Sequence, residues 1–487
     1  MNQAKLWLDE RLGVGKAFKA IFLRHIPIGV NWWYSLGSAA LFIFILQVVT
    51  GTLLAMNYVP SPDHAYDSIR YIMSEVTSGW FVRGLHHWGA TAMVAIVIVH
   101  LVSVFVMGAH RYPREAIWLF GVGLLLVTVG FGFTGYLLPW DQKAYWATTV
   151  GTNMIGTVPG VGPALLQLVR GGADVGAVTL TRFYAMHVML FPVIITLLAA
   201  VHFVLVIYHG VSVSPGLWHR GVPGSATDSG ANTDARDDAD AGAGAKEAYQ
   251  ARYASFKAKG PYFWPDLIAE DLRVALVLFL ILIGLSLVVG VPLDDRADPT
   301  DTAYIPRPEW YFMGLFELLK YFPGALEWVG VVLVPGLLVV LLLATPWLSR
   351  GTERRPLKRP VGMAVLSVVL AGSVFLTVRA YQTTPPSLVE ERGVVLTSQQ
   401  LRGRQLIQQV GCRSCHFING DGDTEKGPGL DGINQRLTAA DVHLFMENPK
   451  QFNPEATMKP LIPTLTHEDV EAITQYLLTL DEEAVEQ

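Results

Sequence analysis

The sequence predicts an all-α integral membrane protein: seven transmembrane helices, a four-helix bundle plus three more, followed by a small all-α domain. Three observations predict it. Of the 487 residues 51% are apolar and 16% charged, and the mean hydropathy is +0.37, values foreign to a soluble globular chain. Seven apolar runs are each long enough for a hydrocarbon core, which takes about 20 helical residues. Beyond them, residues 386–487 hold 8 Lys and Arg against 16 Asp and Glu, an acidic balance that the remainder, with 28 against 25, does not share.

The first 32 residues set Lys5, Arg11, Lys16, Lys19 and Arg24 among Leu6, Trp7, Leu12 and Phe18, which suits an interfacial helix better than a cleaved signal. The predicted spans are 33–56, 86–107, 116–138, 184–208, 273–293, 328–348 and 361–381. With the N-terminus inside, the cytoplasmic segments collect 18 Lys and Arg and the opposite ones 8, which favours that orientation. Seven spans then put the C-terminal domain on the outer face.

Between the fourth and fifth runs lies a hydrophilic tract, 211–260, whose centre from Ser225 to Ala245 is almost all Gly, Ala, Ser, Thr, Asn and Asp. It reads as a flexible cytoplasmic linker between a four-span domain, 1–210, and a three-span domain, 261–385. Thr383-Thr384-Pro385-Pro386 opens the connector to the C-terminal domain.

That domain holds both cysteines of the chain, in Cys412-Arg413-Ser414-Cys415-His416. Two thiols and an adjoining imidazole are the attachment pattern of haem c, with His416 an axial ligand. A zinc half-site lacks its second ligand pair, and a redox dithiol leaves the histidine unexplained. Met446, in a helix-like run, and Met458, in a Pro-flanked irregular segment, are the candidate thioether ligands. Met458 is preferred, because such a loop folds over a haem face while a helical Met is commonly core.

The spans carry a second ligand set. His86 and His100 are fourteen residues apart in span two, and His187 and His202 fifteen apart in span four. Such spacings return near one helix face, with levels about 21 Å apart. Two facing helices so patterned can clamp two haems, His86 with His187 at the outer level and His100 with His202 at the inner. His87, rotated about 100° off that line, is not assigned. Gly37 and Gly51 in span one, and Gly121 and Gly135 in span three, repeat the period of fourteen. Glycine lets a flat macrocycle approach the backbone, although small residues also serve ordinary helix packing. Arg83 and Arg182, just outside the outer ligands, are candidate partners of haem propionates.

These motifs, with Pro308-Glu309-Trp310-Tyr311 in the loop after span five, resemble the cytochrome b of Rieske/cytochrome b complexes, the bc1 and b6f families. The resemblance covers roughly 25–385, a b6-like unit and a subunit IV-like unit in one chain; 395–485 is similar to class I cytochromes c. It implies two non-covalent haem b, one covalent haem c, and quinol oxidation at the outer face. One electron then passes to a separate Rieske iron–sulfur protein and on to the fused haem c, the other across the b haems to an inner quinone, with proton translocation. Glu309 is the implied proton acceptor, flanked by Pro308, Trp310 and Tyr311, with Tyr145 lining the pocket. His209 and Asp271 are candidates for an inner quinone site, and equally for solvated helix-end groups. The b6f family anchors an extra haem through a cysteine where this chain has Ser35, so that haem is expected to be absent.

Implied partners are menaquinol, ubiquinol or plastoquinol, a cytochrome c or terminal oxidase as acceptor, membrane lipid, and a second copy of the complex; no nucleic acid is expected. The implied location is the bacterial cytoplasmic membrane. A di-haem anchor relaying electrons for another dehydrogenase is the competing reading, distinguished by whether Glu309 matters.

Overall fold

The computed structural model describes residues 3–221, 243–383 and 397–480, apart from isolated positions within them and short stretches at 419–420, 423–426, 455–457 and 462–464. Seven helices are long and apolar enough to cross a membrane: Trp32–Ala55, Gly79–Val106, Glu115–Tyr136, Ala177–His209, Phe263–Val288, Val329–Leu348 and Pro360–Thr383, here spans one to seven. A helix satisfies its backbone polar groups internally, the condition for a multi-pass membrane protein.

Three spans begin seven to ten residues earlier than their apolar runs. Spans two and four start at Gly79 and Ala177 rather than 86 and 184, which carries His86 and His187 inside helix. Span five starts at Phe263, so Asp271 lies within it and not ahead of it. Glu270 and Asp271 occupy the first turn of its α-helical part, Ile268–Val288, where acids complement the helix dipole despite ending the apolar pattern.

The four-span and three-span halves form a single compact unit, 1–291 with 306–384. A Cβ added at Gly84 of span two would lie 2.8 Å from Ser286 Cβ of span five; small residues let those backbones close together. Trp118 Nε1 of span three donates to the Leu342 carbonyl of span six at 2.7 Å.

The hydrophilic tract is not wholly a linker. Helices Pro215–Arg220 and Ala243–Ala258 flank its centre, and Val213, Trp218, Tyr249 and Phe256 make a buried cluster. Arg354 stacks over Trp218 at 4.8 Å. Tyr249, Tyr253 and Phe256, spaced along one helix face, were the signal. Residues 222–242 and the connector 384–396 lie outside the described residues.

The second compact unit is Pro385–Gln487 joined by Pro292–Ile305 of the loop after span five. Its helices include Ser398–Val410, Ala439–Glu447 and His467–Leu477, packed around Ile407, Ile418, Val442, Met446 and Ile473. Gly403 permits the first to cross the last, since a Cβ there would stand 1.9 Å from the Ala472 carbonyl oxygen. Among the described residues of this unit, one short antiparallel pair, Phe417–Ile418 with Asp421–Gly422, accompanies the helices. Buried Arg404 pairs with Asp295 at 2.9 Å and so ties the loop segment to this unit through charge, while within the segment Tyr304 donates to Asp294 at 2.7 Å.

Candidate functional site

The four glycines and four histidines of spans one to four meet one to one. A Cβ at Gly51 would lie 3.0 Å from His86 Cε1, at Gly135 2.5 Å from His187 Cε1, at Gly121 3.4 Å from His202 Cε1, and at Gly37 3.5 Å from His100 Cε1. The glycines therefore make room first for the imidazoles. The His86 and His187 rings are 6.3 Å apart between centroids. An iron between them fits that gap, which two metal–nitrogen bonds of about 2 Å and two half-rings fill.

Span four reaches this arrangement through a π-turn, Met186–Leu190, that contains His187. Pro192 follows at the start of the next helical segment, Phe191–His209, and lacks the N–H that would close the ordinary bond to Val188. A π-turn accommodates one extra residue. Fifteen residues from His187 to His202 thus do the geometric work of the fourteen between His86 and His100.

Two threonines orient the first pair of rings, and the sequence reading missed both. Thr50 Oγ1 donates to the Leu46 carbonyl at 2.7 Å and is 2.9 Å from His86 Nδ1. Thr134 Oγ1 donates to the Gly130 carbonyl at 2.9 Å and is 3.3 Å from His187 Nδ1. With each hydroxyl proton already committed, each Nδ1 is the donor, leaving Nε2 unprotonated for a metal. Each threonine directly precedes the glycine that faces the same ring, so a Thr-Gly pair was the available signal.

Both arginines make backbone contacts. Arg83, buried, donates to the Val291 carbonyl at 2.8 Å. Arg182, exposed, reaches the Leu168 carbonyl at the end of helix Gly162–Arg170.

Glu309 is the N-cap residue of helix Trp310–Lys320. Lys143, on helix Gln142–Gly156, stands 3.7 Å from its carboxylate, both side chains half-buried. The Tyr311 hydroxyl packs on span three, 3.0 Å from where a Cβ on Gly132 would be. One turn on, Gly135 faces His187. Burial pushes the Tyr311 hydroxyl above the ordinary phenol range, so it remains a donor at neutral pH. Trp310 Nε1 is buried with no acceptor among the described residues. Pro308 is buried, and Tyr145 is 5% exposed between Trp140 and Trp146; burial raises its hydroxyl pKa as well.

Near the start of span five, Ser38 Oγ donates to Asp271 Oδ2 at 2.9 Å. The buried Ser35 hydroxyl faces the same carboxylate. His209 ends span four and stacks edge-on against Tyr208 at 4.8 Å. Nothing brings His209 and Asp271 into one contact.

In the second unit a cavity is lined by Cys412, His416, Pro428, Leu430, Met446 and Met458 among others. His416 Nδ1 donates to the Pro428 carbonyl at 2.9 Å, which leaves Nε2 as the ligand atom. Gly427 is required beside it, since a Cβ would lie 2.9 Å from the ring. Both methionines line the cavity, but Met446 is 5% exposed within the helical core.

Comparison with known proteins follows the same divisions. Residues 22–210 match the family described as Cytochrome b/b6/petB, 296–395 that described as Cytochrome b(C-terminal)/b6/petD, and 400–481 Cytochrome c. The cytochrome bc complex cytochrome b subunit of Chlorobaculum thiosulfatiphilum is 33% identical over 382 residues, 77% of this chain and 80% of that one. Cytochrome b6 of Acaryochloris marina is 39% identical over 212 residues, 44% of this chain and 99% of its own length. A solved hyperthermophilic respiratory Complex III has a similar fold, with a TM-score of 0.62 and 27% identity over 78% of this chain and 91% of the other. These matches imply haem b and haem c. The chain belongs to the cytochrome b family of bc complexes, as a component of a quinol–cytochrome c oxidoreductase, and carries a cytochrome c domain fused to its C-terminal end.

Proposed function

We propose that quinol is oxidised beside Glu309, on the outer face, and that a quinone is reduced beside Asp271 on the inner face. The observation that carries this reading is the short stretch of span three that serves both chemistries: Gly132 against Tyr311, Gly135 and Thr134 against His187. A quinol bound at Tyr311 is thereby about one helical turn from an electron acceptor site.

Haem b held by His86 with His187 and by His100 with His202, and haem c held by Cys412, Cys415, His416 and Met458, supply one-electron carriage when bound. The residues around Glu309 do the proton chemistry. Its carboxylate accepts a quinol proton, with the Lys143 ammonium as counter-ion. Tyr311 and Trp310 offer hydrogen-bond donors to the quinol oxygens, and Pro308 and Tyr145 wall the pocket. At the other face Asp271, held through Oδ2 by Ser38, presents Oδ1 to a quinone oxygen; His209 is a second proton donor.

One electron of each quinol passes to a Rieske iron–sulfur protein, for which this chain has no cluster ligands, and on to the fused haem c; the other crosses the b haems to the inner quinone. A cytochrome c or a terminal oxidase then takes it. The complex is a homodimer in the bacterial cytoplasmic membrane, with the N-terminus cytoplasmic and the haem c domain outside, in keeping with 18 Lys and Arg on one set of loops against 8 on the other.

Replacing Glu309 by Gln tests the reading. Quinol-dependent cytochrome c reduction by the purified complex is expected to fall about a hundredfold or more, with haem content unchanged. A rate equal to wild type would instead make the chain a relay for another dehydrogenase.

A further inference from the structure

The cytochrome c unit carries a cluster that neither the haem nor the quinol chemistry uses. His443 and Glu447 stand one turn apart on helix Ala439–Glu447, and His467 opens helix His467–Leu477. His467 Nδ1 is 2.6 Å and His443 Nδ1 3.6 Å from the same oxygen, Glu447 Oε1. The two rings are within 10° of parallel, with centroids 6.2 Å apart. One ligand atom from each residue falls within 4.8 Å of the others. His443 and Glu447 are half-buried while the His467 side chain is 76% exposed, so the cluster is open on one side only.

An ion pair of this exposure is worth little and needs one imidazole, not two converging on a single oxygen. Two imidazoles and a carboxylate are instead the donor set of three-ligand zinc sites, with a fourth position left for water. We propose that His443, Glu447 and His467 bind a divalent ion of the zinc class. Bonds of about 2.0–2.2 Å set the donors slightly further apart than the present His467–Glu447 contact and slightly closer than the His443–Glu447 one, adjustments that side-chain rotation supplies. The excess of acidic residues in 386–487, 16 against 8 basic, draws cations to this domain. The bound ion ties together the two helices whose connecting chain carries Met458.

The purified complex, prepared without a polyhistidine tag and stripped with EDTA, is dialysed against a series of Zn²⁺ concentrations, and zinc per haem iron is measured by plasma mass spectrometry. Wild type is compared with His443→Gln and His467→Gln, and unchanged haem spectra certify their folding. The expected result is one zinc in the wild type whose affinity each substitution lowers about tenfold or more, since even outer hydrogen-bond partners of a metal site cost that much. The zinc K-edge spectrum of the wild type should contain two imidazoles and a carboxylate oxygen. Superimposable isotherms for the three proteins, or a wild type that holds no zinc, would overturn the proposal.

Discussion

Thr50 Oγ1 lies 2.9 Å from His86 Nδ1 while giving its own proton to the Leu46 carbonyl. The threonine is thus an acceptor by construction. Its hydrogen bond fixes the imidazole tautomer and would make Nε2 a stronger donor to an iron held there, which would favour the ferric state.

Thr50→Val keeps the shape and removes the acceptor. The midpoint potential of one haem b should rise by roughly 20–60 mV, the equivalent of one hydrogen bond of about 0.5–1.5 kcal/mol in a one-electron couple. A spectroelectrochemical titration resolves the two b haems; identical curves for wild type and variant would remove Thr50 from the account.

Alanine substitutions at the four glycines should be graded by how closely the new Cβ meets an imidazole. Gly135→Ala, at 2.5 Å from His187, is expected to be worst, Gly51→Ala at 3.0 Å next, and Gly121→Ala and Gly37→Ala, at 3.4 and 3.5 Å, the mildest. Haem b per chain, from the pyridine haemochrome, measures the order.

The two methionines of the haem c cavity should behave differently. Met458→Ala is expected to lower the haem c potential by hundreds of millivolts, within the roughly 0.8 V over which axial ligands tune haem iron. Met446→Leu conserves volume in the core and should leave the potential near wild type, at a cost below about 1.5 kcal/mol of stability.

Asp469 sits in a capping box with Thr466 and accepts from Arg402 at 2.7 Å. The Thr466 hydroxyl, and then Arg402, hold its pKa below the usual 3.8. A depressed carboxylate stabilises the fold above its unfolded pKa, and the stabilisation is lost as pH falls through the folded value. Asp469→Asn should therefore lower the thermal midpoint of the haem c signal at pH 7, by an amount that shrinks as the pH drops below about 4. A deficit independent of pH would contradict the ionic origin.

Much of this molecule was legible beforehand because a membrane leaves a chain few solutions. An apolar run in lipid must be helical to satisfy its own backbone, so seven spans follow from composition and length. Cys412, Cys415 and His416 are adjacent in the chain, so their chemistry needs no fold to be read. The histidine and glycine periods were visible for a related reason, since one helix carries both members of each pair.

What stayed hidden depends on contacts between distant segments. Asp271 was placed outside span five because an acid interrupts an apolar pattern, although the helix runs through it. Arg404 with Asp294 and Asp295 links residues over a hundred positions apart, and no local signal assigns that loop to the cytochrome c unit. The spacing of fifteen in span four looked like a looser version of fourteen until the π-turn at His187 made the two equivalent. Periodicity reports which face a side chain takes along its own helix. The Thr-Gly pairs mark two of the candidates, but which glycine receives which imidazole is set by the crossing of separate helices, which neither segment shows alone.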